Sequence, residues 1–115
     1  DDAGISALLI WLQQHHAKAL DLEQLAARLH CSTRSLLRRF KAATGLTPID
    51  YLQRLRISAA QGALHQPQPS LEQVALAVGY QDRATFARLF KQLCAEPPGP
   101  LRRRVLERLT APLMT

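Results

Sequence analysis

The sequence predicts an all-α fold of about seven helices, in which a long helix joins two helix-turn-helix subdomains. Apolar residues recur at helical spacing through most of the 115 residues. The chain also repeats itself, since LEQLA at 22–26 recurs as LEQVA at 71–75. FKAATGLTP at 40–48 recurs more loosely as FKQLCAEPP at 90–98. Each copy reads as a helix, a tight turn and a second helix.

The first predicted subdomain spans residues 1–46. An opening helix over Ile5 to His16 is expected to cover it, with Leu8, Leu9 and Leu12 on one side and Trp11 as a large anchor. Asp21 and Ser32 are expected to cap the next two helices, because their side chains can accept hydrogen bonds from free N–H groups. Gly45 is expected to end the third helix in the left-handed conformation.

Residues 47–65 are predicted to form the connecting helix, with Thr47 as its N-cap and Pro48 at its first position. Roughly seventeen helical residues would extend about 25 Å. The QPQP stretch at 66–69 breaks the helix. The connecting element therefore ends before the second subdomain begins.

The second predicted subdomain spans residues 66–115. Ser70 and Asp82 are expected to cap its first two helices, and Gly79 to make the turn between them. A last helix over Pro98 to Leu109 should cover this unit. Its second helix is expected to bury a stripe made of Phe86, Leu89, Phe90 and Leu93.

The charge balance indicates a polyanionic partner. Fifteen Lys and Arg against nine Asp and Glu give a net charge of +6, and the pI is near 10.2. No segment reads as a membrane span or a secretion signal, so a cytoplasmic protein is expected. Cys31 and Cys94 are single and are interpreted as small buried hydrophobic residues. The absence of an initial Met suggests a piece of a longer protein.

An enzyme is not expected. The sequence has no HExxH motif, no Gly-rich phosphate loop and no paired carboxylates at useful spacing. His15 and His16 are adjacent, so on a helix they point in different directions and are poor joint metal ligands. We therefore expect no catalytic residue, no metal and no cofactor.

The second helix of each copy is where base-reading residues are expected, because this helix enters the major groove of DNA in a helix-turn-helix protein. Arginine can pair bidentately with guanine, and small apolar side chains can contact a thymine methyl group. The predicted base-reading residues lie early in these helices, opposite the apolar stripe: Arg34, Ser35, Leu37, Arg38, Arg83, Ala84, Ala87 and Arg88.

Residues at the edges of these helices are predicted to contact phosphate. Lys41 and Lys91 follow the repeated phenylalanines, and Arg39 lies beside the first of them. Thr47 and Pro98 mark helix starts, where free N–H groups can bind anions.

Three other interpretations stay open for these residues. Arginines on an outer helix face are often only solvated or ion-paired. A protein-interaction module would instead contact RNA polymerase or another partner without reading bases, but it leaves the duplicated arginine faces unexplained. RNA binding is a weaker alternative, because the chain lacks aromatic residues for a stacking platform.

The run SLEQVALAVGYQDRATFARLFKQLCAEPPGPLRR resembles the signature region of the AraC/XylS family of bacterial transcription regulators. The family's positions are occupied by Ala75, Gly79, Tyr80, Phe86, Phe90, Lys91, Pro98 and Arg102. RRFKAATGLTPIDYLQRLRISAA resembles the family's other half. Ala95 departs from the usual glycine, and Leu101 from the usual aromatic residue.

The resemblance implies seven helices in two homeodomain-like subdomains, which bind two successive major-groove segments of double-stranded DNA. It also implies contact with RNA polymerase, and an effector or dimerisation domain ahead of this module. The RRF and AATGLTP segments are similar to a subgroup whose front domain resembles a class I amidotransferase.

Overall fold

The computed structural model describes residues 2–110, which form seven α-helices and no β-strand. The predicted all-α fold with two helix-turn-helix motifs is confirmed. The helices are α1 (Ala3–His15), α2 (Leu22–Arg28), α3 (Thr33–Thr44), α4 (Pro48–Ala63), α5 (Leu71–Ala77), α6 (Arg83–Cys94) and α7 (Pro98–Thr110). Helix α4 is the predicted connecting helix, and α3 and α6 are the second helices of the two motifs; we call α3 and α6 the recognition helices.

The packing divides the chain into two units between Leu55 and Arg56, inside α4. The first half of α4 thus belongs to the first unit, and the second half to the second unit. The subdomain limits expected from the sequence, at residues 46 and 66, stay a prediction, and residues 111–115 of the second lie outside the described part.

Each unit is built around its own apolar cluster. In the first unit the buried residues are Ile5, Leu8, Leu12, Leu25, Ala26, Leu36, Phe40 and Leu52. In the second unit they are Ile57, Ala60, Leu64, Val74, Ala75, Val78, Tyr80, Phe86 and Phe90. The recognition helices contribute the fully buried Phe40, Phe86 and Phe90, so each of these helices is fixed by one apolar face.

Side-chain caps begin the helices where the sequence indicates. Asp21 and Ser70 each form a capping box with the glutamine three residues later. Ser32 accepts a hydrogen bond from the backbone N–H of Ser35, and Asp82 accepts one from Thr85. These bonds satisfy donors that a helix start leaves free, so they fix the first residue of each element.

The turns of the two motifs share a residue with positive φ and the backbone hydrogen bond that follows it. His30 has φ 54° in the first turn, and Gly79 has φ 109° in the second. The next residue donates its N–H back to α2 or α5: Cys31 to the carbonyl of Ala26, and Tyr80 to that of Ala75. The sequence repeat therefore corresponds to a repeated turn, in which the left-handed position is held by histidine once and by glycine once.

Three details differ from the sequence-based expectations. Helix α1 begins at Ala3 rather than Ile5, because Asp2 accepts a hydrogen bond from the Ile5 N–H and caps it. Leu93 is 39% exposed and lies outside the buried stripe of α6. Trp11 is only partly buried, and the Arg28 guanidinium covers its ring at 4.0 Å from the centroid.

The two recognition helices end in the same way, and one of them ends under strain. Gly45 has φ 77° and Ala95 has φ 68°, and each donates its N–H to the carbonyl of a lysine four residues earlier. A side chain in this left-handed conformation is unfavourable. Ala95 therefore stores strain that Gly45 avoids.

We expect Ala95→Gly to stabilise the chain by roughly 0.5 to 1 kcal/mol, because relief of the left-handed strain exceeds the added flexibility of the unfolded chain. Gly45→Ala is the matched control. A methyl group at Gly45 would meet no atom within 4 Å, so the change adds left-handed strain without a clash. It should cost roughly 0.5 to 1 kcal/mol after the reduced flexibility of the unfolded chain is subtracted. Urea unfolding measures both, and an unchanged or lower midpoint for Ala95→Gly would contradict this explanation.

Candidate nucleic-acid interface

The outer face of α3 is exposed because the opposite face is buried. Leu36 and Phe40 are fully buried, and this leaves Arg34, Leu37 and Arg38 exposed. Ser35 is partly buried, where its N–H donates to Ser32 Oγ at 3.1 Å. Its hydroxyl also accepts a hydrogen bond from Arg38 Nη2 at 3.4 Å. The four predicted base-reading residues of this helix thus lie together near its N-terminal end.

The outer face of α6 has a similar arrangement. Arg83, Ala84 and Arg88 are exposed, and Ala87 is partly buried. Asp82 caps this helix start, and hydrogen bonds from Thr85 hold the pKa of its carboxyl below the usual value. The capping carboxylate therefore stays ionised beside the arginine face.

Arg83 is ion-paired. Its Nη1 lies 3.2 Å from Glu72 Oε2 on α5, and both side chains are more than half exposed. The pKa of Glu72 is lowered, first by a backbone hydrogen bond at its own residue and then by Arg83. Exposed pairs of this kind contribute only about 0 to 1 kcal/mol. The guanidinium can therefore exchange Glu72 for another acceptor at little cost.

The predicted phosphate contacts differ in exposure and in the groups that they offer. Lys41 and Lys91 are exposed in the last turns of α3 and α6. Thr47 is exposed, and its hydroxyl caps α4 by accepting the N–H of Asp50 at 3.1 Å. Pro98 is buried at the first position of α7. Because proline has no N–H, a phosphate at this helix start would need a donor other than Pro98.

Arg39 is bound within the first unit. Its Nε and Nη2 donate to the two carboxylate oxygens of Asp2 at 2.7 and 2.8 Å, and both side chains are 26% exposed. The Arg39 hydrogen bond is the main cause that holds the pKa of Asp2 far below its usual range. The same pairing raises the pKa of Arg39. The bidentate pair links the cap of α1 to α3, a role that the prediction of a phosphate contact did not include.

Sequence reasoning missed three further arginine roles. Arg102 donates from Nε and Nη2 to the carbonyl of Gln66, at 3.1 and 2.7 Å, and so ties α7 to the QPQP loop. Arg104 forms an ion pair with Glu96. Arg56 is buried in α4. No local spacing signals these contacts, since each joins residues that lie apart in the chain.

Comparison with known proteins identifies the group to which this geometry belongs. Residues 25–104 match the family model described as "Helix-turn-helix domain". The chain belongs to the family of AraC-type helix-turn-helix domains. This AraC-type domain is 37% identical over 101 residues to the transcriptional activator RhaS of Escherichia fergusonii. It is 35% identical over 105 residues to RhaS of Pectobacterium carotovorum.

These RhaS proteins are much longer than the AraC-type domain. The alignments include 88% and 91% of this chain but only 36% and 38% of the two relatives. The chain therefore spans little more than a third of their length. The curated relatives are transcription regulators rather than enzymes.

Two solved structures extend the similarity. The DNA-binding domain of AdpA, a global transcriptional factor crystallised with a target DNA, superposes with a TM-score of 0.87 at 26% identity, covering 98% of this chain and 100% of that one. The C-terminal domain of AraT, a response regulator from Geobacillus stearothermophilus, gives 0.85 at 26% identity, covering 90% and 86%. The AraC-type domain thus shares the fold of the AdpA DNA-binding domain and of the AraT C-terminal domain.

Other kinds of site find little support in residues 2–110. In that part of the chain no three His, Cys, Asp or Glu side chains lie close enough together to hold a metal ion. The described helices include none with the length and apolar character that crossing a membrane requires.

We expect the Asp2–Arg39 pair to make the AraC-type domain sensitive to acid. Because the folded state lowers the pKa of Asp2, the unfolded chain binds this proton more readily. The stabilisation is complete above the unfolded pKa of about 3.9 and is lost as the pH falls toward the lower folded value. Asp2→Asn should therefore melt below the wild type at about pH 7, and the difference should shrink toward about pH 2.

Melting temperatures across this pH range test the prediction. Glu107→Gln removes an exposed carboxylate from α7 and serves as the control for lost charge. If Asp2→Asn and the wild type lose stability in parallel on acidification, the pair is not the source of the effect.

Proposed function

We propose that this domain binds double-stranded DNA in a sequence-specific manner, with each recognition helix in one of two successive major-groove segments, about one helical turn apart. One observation carries this proposal. In both units the recognition helix buries a phenylalanine face and exposes an arginine face near its N-terminal end. An N-terminal position on the exposed side is where a helix-turn-helix protein reads base edges.

The base-reading set proposed for α3 is Arg34, Ser35, Leu37 and Arg38, and for α6 it is Arg83, Ala84, Ala87 and Arg88. In α6 the two arginines supply bidentate donors for guanine, and the two alanines allow close approach to thymine methyl groups. Arg83 has to leave Glu72 or bridge from it to DNA. Lys41, Lys91 and the α4 start at Thr47 supply sequence-independent phosphate contacts.

The regulatory role is proposed for the longer protein of which a domain of this type forms a part. The RhaS relatives are named transcriptional activators, which favours recruitment of RNA polymerase at promoters in the bacterial cytoplasm. A domain that contacted polymerase or another protein without reading bases is the competing function. It has no need for the arginines that stand at matching positions of the two recognition helices, Arg38 in α3 and Arg88 in α6.

Arg88→Ala and Lys91→Ala distinguish a contact with a specific base from a sequence-independent contact with phosphate. Both are measured on a duplex that the wild-type chain selects from a randomised pool, and on random duplex. Arg88→Ala should lose about 1 to 3 kcal/mol on the selected duplex and little on random DNA. Lys91→Ala should weaken both alike and lower the slope of log affinity against log salt by about one.

Arg103→Ala is the matched control, since it removes an exposed arginine that belongs to α7 and to neither recognition helix. It should leave the preference for the selected duplex unchanged. Equal losses for Arg88→Ala on selected and random duplexes would remove its base-reading role. Failure of the wild-type chain to enrich any sequence would favour the protein-interaction alternative.

A further inference from the structure

Arg56 is a charged side chain in the interior of the second unit. It is 8% exposed, and among residues 2–110 it is the only charged or polar residue that counts as buried. Burial lowers its pKa below the usual value for arginine, although Tyr80 opposes this effect. Burying a guanidinium is costly unless its surroundings offset the lost hydration. Its neighbours therefore indicate what the fold gains.

These neighbours are the turn of the second helix-turn-helix. The Arg56 Cζ lies 5.3 Å from the centre of the Tyr80 ring, within range of a cation–π contact. A Cβ atom on Gly79 would lie 2.8 Å from Arg56 Nε and 2.9 Å from Cζ, too close for any larger residue without movement of the guanidinium. The arginine is thus packed directly against the backbone of the turn.

The contact continues from the turn into α6. The Tyr80 ring is 5% exposed and lies 5.8 Å from Phe86, whose ring lies 5.7 Å from Phe90. These two phenylalanines form the buried face of α6, opposite Ala84 and Arg88. Any shift of Tyr80 therefore moves the surface on which α6 rests, and close-packed side chains transmit such a shift.

We propose that Arg56 is a positioning residue for DNA reading: packed on Gly79 and Tyr80, it sets the angle at which α6 leaves the turn. It would thereby determine sequence preference in the half-site that α6 reads, without touching DNA. This inference rests on the proposed function for its DNA readout. Its structural part concerns the free protein alone.

The first unit holds its turn differently, which makes the effect specific to the second. There His30 and Cys31 occupy the places of Gly79 and Tyr80. In the first unit the arginine that links two elements through a bidentate pair is Arg39, which lies on α3 itself. Its partner is Asp2, the N-cap of α1. A change at Arg56 should therefore alter reading by α6 and leave reading by α3 intact.

The test compares Arg56→Met, which keeps an unbranched apolar stem but removes the guanidinium, with Val74→Ala, which weakens the same core. Each binds three duplexes at one salt concentration: the wild-type-selected duplex, and two versions with one half randomised. Arg56→Met should lose the preference for the α6 half by about tenfold, the size of one base contact. Arg56→Lys, which keeps a charge near Tyr80, should recover part of it.

Thermal unfolding curves of Arg56→Met and Val74→Ala give the temperature at which both variants are folded, and the binding assays are run at that temperature. The proposal predicts that Val74→Ala keeps its preference for both halves at an equal loss of stability. If Arg56→Met keeps the preference for the α6 half, or Val74→Ala loses it equally, Arg56 has no positioning role.

Amide hydrogen exchange separates this inference from the proposed function. Arg56→Met should speed exchange at residues 84–90 of the free protein relative to α5, whereas Val74→Ala should speed it across the unit. If the wild type selects no sequence but this local pattern appears, DNA reading is wrong and positioning stands. If exchange in α6 is unchanged, positioning is wrong whatever the DNA result.

Discussion

The burial of one phenylalanine face on each recognition helix is the interaction on which the rest of this structure depends. A helix of 12 residues is marginal by itself in water. Phe40 in the first unit, and Phe86 and Phe90 in the second, are fully buried and fix the rotation of each helix about its axis. With the rotation fixed, the opposite face is exposed as a consequence. The arginines on that face are exposed to solvent because burial of the phenylalanines turns them away from the core.

The two units reach this result with the same turn and different arginine contacts. In the first, Arg39 joins α3 to the cap of α1 through a carboxylate. In the second, Arg56 comes from α4 and packs on a glycine and an aromatic ring. The two units therefore share a repeated backbone, but different arginine contacts stabilise them. Acid should affect the first unit through Asp2. In the second unit Glu72 and Arg83 join the two helices of the motif, but this pair is more exposed and contributes less.

Local sequence signals predicted most of the fold, because capping and helix periodicity act over three or four residues. Asp21, Ser32, Ser70 and Asp82 were all assigned as caps from their positions, and the structure confirms them. The exposed positions of Arg34 and Arg88 followed from the same periodicity. Contacts between distant residues could not be predicted in this way. The sequence predicts a phosphate contact for Arg39, since nothing near it in the chain indicates Asp2. It gives no signal for Arg56, because Gly79 and Tyr80 lie more than twenty residues further along, in the turn between α5 and α6.

Methylation interference on the duplex that this chain selects tests the central claim most directly. Methylation of guanine N7 blocks the major-groove edge that an arginine would contact, whereas ethylation of phosphate blocks only positioning contacts. We expect two clusters of interfering guanines about 10 base pairs apart, and Arg88→Ala should become insensitive to methylation in one of them. Interference from phosphate ethylation alone, with no guanine affected, would contradict base reading by the exposed arginine faces.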